Sequence, residues 1–266
     1  MKPFYKMAAL ALAGASLVVV SCKKNATTPK DNIDYAALAQ QLAKGLSSTS
    51  ATANVKTNAA STLKIFDITS ACGTSEEKAN TNQSIKLGGD TTENVKRHTI
   101  FTYLCENGST DPNAYTQRDT SVDTYSGSAF RNSRTIALNW HVSAQGSQER
   151  LLVNGDSKSI ASTAVLKDGA TTSSYSTSFD YHWTNVLAIQ DYTFKTAPYF
   201  DGGKVDYTCV IENKKSVSDD QITNLSGTIQ FMVGTGGNMW VTFNPRDGFP
   251  LLTYIIDAKT GKATQQ

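Results

Sequence analysis

The sequence predicts a mainly β protein, an antiparallel meander of roughly nine to twelve strands curling into a half-barrel or barrel behind one N-terminal amphipathic helix. Three observations carry that prediction. From about Leu63 onward, short runs alternate apolar and polar residues, the period of a half-buried strand. Dipeptides that tolerate positive φ punctuate those runs: Gly88-Gly89, Asn107-Gly108, Asn154-Gly155, Asp168-Gly169, Asp201-Gly202, Gly236-Gly237 and Thr260-Gly261. No strand–helix–strand alternation and no fixed-period repeat interrupts the pattern.

The elements follow in chain order. Residues Met1 to Lys6 carry Lys2 and Lys6 and no acid, and Met7 to Val20 is an apolar run of fourteen. That run is shorter than the about 20 residues a membrane-spanning helix needs, and it suits the core of a signal peptide over residues 1–21. Lys23 to Asn32, polar with Pro29, reads as the tether that follows Cys22, so that 22–32 is a flexible segment and 33–266 one domain. Ile33, Ala37, Leu38, Leu42 and Leu46 then recur at helical spacing. Asp31, Asn32 or Asp34 can cap this helix of about 33–47, and Gly45 sits near its end. Ser47 to Ser61 reads as a loop.

In the β region, Ile136, Leu138, Trp140 and Val142 share one face, with Asn139 and His141 on the other. Phe179, Tyr181 and Trp183 oppose Asp180 and His182 in the same way. Val205, Tyr207, Cys209 and Ile211 repeat the pattern, as do Ile229, Phe231 and Val233, then Met239, Val241 and Phe243, then Leu252, Tyr254 and Ile256. Short links between such runs favour sequential antiparallel neighbours, and a sheet this large curls.

The segment Val19-Val20-Ser21-Cys22 places an aliphatic residue three before a cysteine and a small one just before it. It resembles the lipobox of bacterial lipoproteins. The resemblance implies cleavage before Cys22, acylation of that cysteine, and a membrane partner reached through the lipid. An ordinary secretory signal or an uncleaved anchor is the alternative. With the Asn/Thr-rich meander, the helix of Tyr35, Leu38, Leu42 and Leu46, the Cys72-Gly73 turn and the closing Trp240-Val241-Thr242-Phe243-Asn244 run, the whole chain is similar to β-rich exported lipoproteins of Bacteroidota. Lys23, Lys24 and Asn25 follow the cysteine in place of an acidic cluster. By that resemblance the expected address is the periplasmic face of the outer membrane, with surface exposure left open.

Charge excludes some functions. The chain has 25 Lys+Arg against 23 Asp+Glu, and cleavage would remove Lys2 and Lys6 and no acid, leaving 23 of each. A balanced chain has no basic field for nucleic acid. Beyond Cys22, Cys72, Cys105 and Cys209 remain. Cys105 alternates with Phe101 and Tyr103 while Cys72 ends the run Phe66, Ile68, Ser70, so neighbouring strands bring Cys72 and Cys105 together as a disulfide in an oxidising compartment. Cys209, on an apolar face, is then a buried thiol, far from a histidine base.

Other patterns invite chemistry less strongly. His141 and His182, each beside a tryptophan on a polar face, would need to meet with Asp180 or His98 to make a zinc or copper site; no close ligand spacing supports it, and exposed strand histidines are the expectation. Asp111, Asn113, Tyr115, Gln117, Asp119 and Asp123 alternate oxygen ligands but lack the glycine and glutamate of a calcium loop, and read as a polar turn. Gly234-Thr235-Gly236-Gly237 reads as a hairpin, since no helix follows it. Glu76-Glu77 and Asp219-Asp220 read as polar connections, and Asp90-Thr91-Thr92 matches a short O-glycosylation pattern of exported Bacteroidota proteins. Phe179, Tyr181, Trp140 and Trp183 read as core, with a ligand cavity as the alternative.

No nucleophile elbow or zinc-protease motif is present, and nothing in the sequence calls for a cofactor. The expected role is that of a non-catalytic, lipid-anchored envelope protein that binds an apolar molecule or an envelope partner. The alternatives are a periplasmic hydrolase of glycans or peptides, for which Asp180, His182 and an acid around one pocket would be the sign, and a surface glycan-binding accessory.

Overall fold

A computed structural model describes residues 33–51, 71–189, 199–214, 220–245 and 250–266. The expected signal peptide, Cys22, the expected tether, the run Leu63 to Ser70 and Asp219 lie outside the described residues.

Helix α1 (Tyr35–Ala51) begins where Asp34 caps it: the Asp34 Oδ1 accepts from the Ala37 N–H at 3.0 Å. Tyr35, Leu38, Ala39, Leu42, Ala43 and Leu46 form its buried stripe. The helix runs through Gly45 to Ala51, beyond the expected end near Ser47. A mid-helix glycine costs about 1 kcal/mol, and burying Leu46 against the sheet outweighs it.

Twelve strands make one antiparallel sheet. They are β1 (Ser75–Gly88), β2 (Thr91–Glu106), β3 (Ser109–Ser126), β4 (Phe130–Gln145), β5 (Ser147–Lys167), β6 (Ala170–Ile189), β7 (Tyr199–Phe200), β8 (Lys204–Lys214), β9 (Asp220–Phe231), β10 (Met239–Asn244), β11 (Leu252–Ile256) and β12 (Ala263–Gln265). Neighbours in sequence are neighbours in space, with the two-residue β7 hung beside β6 off the main path. β1 and β12 end the path without pairing to each other, so the sheet curls but stays open. Of the two expected forms, the closed barrel is not adopted.

The inner face is organised by register. Phe101, Gln117, Trp140, Gly155, Trp183, Val205, Ile229, Val241 and Tyr254 stand opposite one another in a single row across nine strands. Trp140 and Trp183 meet edge to face at 5.0 Å over Gly155, and Trp183 leans on Phe200 at 5.2 Å. Tyr35 of α1 meets Phe243 at 5.1 Å, and Gln41 donates to the Thr177 hydroxyl at 2.9 Å, so the helix lies on the inner face. The aromatics read as core are core, packed on one another and on α1.

Four expectations are corrected. The run of Ile229, Phe231 and Val233 ends at Phe231, and Val233 lies beyond β9, exposed. Asn154-Gly155 is a bulge inside β5, where the register with β6 shifts between Val153 and Gly155. The Asp111 to Asp123 stretch lies within β3 and is not a turn; Tyr115, Gln117 and Asp119 point inward and are buried. Asp119 is balanced there by Arg97 Nη2 at 3.0 Å and the Thr99 hydroxyl at 3.0 Å, partners invisible until β2 is laid beside β3. Glu76 and Glu77 belong to β1, and Asp220 opens β9 opposite Lys214. Glu76 accepts from the Tyr103 phenol at 2.7 Å and Glu77 faces His98 Nε2 at 2.8 Å, so pairing across strands, and not free solvation, explains these acids.

Candidate functional site

The outward side chains of the same strands form a second set of rows. Asn139, Asp156, His182, Asp206, Thr228 and Thr242 stand opposite one another from β4 to β10. One step along, Ala137, Lys158, Asp180, Thr208, Ser226 and Asn244 do the same. Between β4 and β10 the two rows line an open trough of about 790 Å³. Adjacent strands are about 4.8 Å apart, so the first row is a ladder of polar groups about 24 Å long and the second, polar from Lys158 to Asn244, about 19 Å.

The charges in the trough are paired. Asp156 Oδ1 lies 2.9 Å from His182 Nδ1, Asp180 lies 3.2 Å from the Lys158 ammonium, and Asp206 lies 2.9 Å from that of Lys204. His182 Nδ1 and Asp156 Oδ1 share one hydrogen bond across β5 and β6. The side chains of His182 and Asp156 are 64% and 71% exposed, so water screens the pair.

Sequence alternation placed Asp180 and His182 on this face. It missed Asp156, Lys158, Lys204 and Asp206. Their signal is positional: each is directly opposite Asp180, His182 or Thr184 on a neighbouring strand, and only the register reveals it.

The remaining candidates sit elsewhere. Cys72 and Cys105 form a disulfide with Cα atoms 5.1 Å apart. Cys72 precedes β1 in a turn held by the Gly73 N–H on the Tyr103 carbonyl, so the bridge pins the start of an edge strand. Cys209 is buried, and burial pushes its thiol pKa up to about 12, which removes thiolate reactivity. His141 stands opposite Thr116 and Asn154, two strands and one row away from His182, while His98 on β2 pairs with Glu77 of β1. The three histidines do not converge, and among the described residues no group of three His, Cys, Asp or Glu is placed to hold a metal. Gly234 to Gly237 joins β9 to β10, its Gly234 N–H donating to Asp201 at 2.6 Å. Asp90 is in the β1–β2 turn, where its carboxylate accepts the Ser128 N–H at 2.7 Å; hydrogen bonding to the Ser128 side chain, and then to its backbone, holds the Asp90 pKa below the ordinary aspartate value. Among the described residues no helix is long and apolar enough to cross a membrane, which says nothing about spanning by strands.

Comparison with protein-family models, curated proteins and solved structures finds no match to this chain.

Proposed function

We propose that the chain is a lipid-anchored cell-envelope protein, acylated at Cys22, with a non-catalytic binding role exercised on the outer face of its sheet. The observation that carries the binding half is the division of the two faces. The inner aromatics pack on one another and on α1, whereas the outer face of the central strands holds a trough with polar groups in register. The central strands are paired on both sides, so what the trough offers a ligand is mainly its outward side chains. The lipobox at Val19 to Cys22 supports the anchoring half, since multiple acyl chains hold a protein firmly where one is marginal.

Two measurements test the reading. Metabolic labelling with a clickable palmitate should tag the wild-type chain and not Cys22→Ala, which should leave the membrane fraction; unchanged labelling in the variant would sink the anchor. Native mass spectrometry after gentle extraction should find the folded domain without a bound acyl lipid. A stoichiometric lipid would return the binding role to the inner face.

The second reading is a hydrolase, and the gathering of Asp156, Asp180, His182 and Asp206 around one trough is its support. An exposed dyad with no hydroxyl nucleophile hydrogen-bonded to His182 is a weak base arrangement, which places this reading second.

A further inference from the structure

We infer that the trough across β4, β5, β6, β8, β9 and β10 is a binding site for an uncharged oligosaccharide; the inference rests on the outer-face binding reading above. Four features point to that chemistry. The trough is concave and crosses the strands, so an extended chain can lie over several rungs at once. Its rungs are short planar or hydroxylated groups, Asn139, Asp156, His182, Asp206 and Thr228, in direct register. Carboxylates and amides at such spacing accept from and donate to neighbouring hydroxyls, the groups that a sugar presents along its length.

Charge is the third feature. Three aspartates are matched by Lys158, Lys204 and His182, each in contact with one of them. A polyanion meets three carboxylates and a polycation meets two lysines, so neither gains the net field that would draw it in. The fourth is Trp240, an outward aromatic 38% exposed, two residues along β10 from Thr242. Two residues of strand are about 7 Å, which sets an apolar platform at the β10 end of the polar row, just beyond the residues that line the trough. A sugar ring offers both hydroxyl rims and an apolar C–H face, and this surface offers a counterpart to each. A protein partner fits less well. The centre of a protein interface is depleted in charged groups, whereas the centre of this trough is made of them. An added peptide strand needs a free edge, and β4 to β9 have none.

The test is calorimetric titration of the detergent-solubilised acylated protein. Chitohexaose and maltoheptaose serve as neutral probes, heparin as polyanion and tetralysine as polycation. Saturable binding of a neutral probe is expected, weakened about tenfold or more by Asp156→Asn, which removes a charged acceptor, and also weakened by Trp240→Ala. Both residues are exposed, and unchanged melting of each variant checks the fold. Binding unaffected by either variant, or no binding of both neutral probes, overturns the inference. Saturable binding of heparin or tetralysine alone overturns the ligand class and keeps the outer-face reading. Release of reducing ends from the bound neutral probe leaves saccharide recognition standing and overturns the non-catalytic reading.

Discussion

Replacing Gly155 by alanine should lower stability by more than the same change at Gly169, a turn glycine with open space around it. Gly155 has φ +127°, a conformation that side-chain-bearing residues rarely adopt, and holding alanine there costs about 1–3 kcal/mol. The new methyl would point into the Asn139 carbonyl and lie 3.2 Å from the Trp140 Cα, so β4 must move. Overpacking of that kind adds about 1–3 kcal/mol, for a total of about 2–6 kcal/mol. At about 2–4 °C per kcal/mol for a domain of this size, Tm should fall by about 5–20 °C. Gly169→Ala is the control. Gly169 has φ +78° with open space around it, so only backbone strain of about 1–2 kcal/mol applies. Urea denaturation followed by tryptophan fluorescence reads both, because Trp140 and Trp183 meet over Gly155. Equal losses in the two variants would refute the reasoning, since the close approach of β4 to β5 would then contribute nothing.

The Cys72–Cys105 bridge spans 33 residues, for which the chain-entropy model gives about 4 kcal/mol. Cys72→Ala/Cys105→Ala should show that loss in urea, and wild type with reductant should match it. A difference under about 1 kcal/mol would mean that β1 opens locally before the domain unfolds. The Tyr181 hydroxyl is buried with no hydrogen-bond partner, so Tyr181→Phe should be neutral or stabilising, while Tyr207→Phe loses a 3.0 Å bond to the Thr242 carbonyl and should cost about 1 kcal/mol. The reverse order in thermal melts would contradict both assignments. Burial raises the pKa of Cys209 to about 12 from 9.0 and raises those of Tyr181 and Tyr207 above 10.0. The unfolded chain therefore releases these protons first, so the contribution of these three groups is level from pH 7 to about 8 and stability should fall as pH climbs through about 9 and above. Denaturation midpoints from pH 7 to 11 test the sign, and Tyr181→Phe should flatten the alkaline limb.

Much of the fold is legible in short windows. Alternation placed Trp140, Tyr181, Tyr207 and Phe243 on the buried face, because a side-chain period of two is a local property. Asn154-Gly155 was misread as a turn because a bulge and a hairpin ask the same thing of a glycine, a positive φ. The acids of β3 were misread for a different reason. Asp119 inside a strand looks unaffordable until Arg97 and Thr99 stand beside it, and those partners are about twenty residues away in sequence. The trough was half legible: alternation turned Asp180 and His182 outward, but their company of Asp156, Lys158 and Asp206 comes from strands whose relative register no window contains.

By itself the sequence determined the class of the protein, the capped helix at Tyr35–Ala51, the inward and outward sets of most described strands and the balance of its charge, since each depends on residues close together in the chain. It also carries the lipobox pattern on which the proposed anchor rests. Tertiary structure alone decided that the sheet stays open, that α1 lies on the inner face and that polar side chains from six strands meet in one trough. The physical reason is register. A one-residue slip of any strand would leave its local pattern intact and turn every side chain to the opposite face, so the site exists only in the alignment between strands.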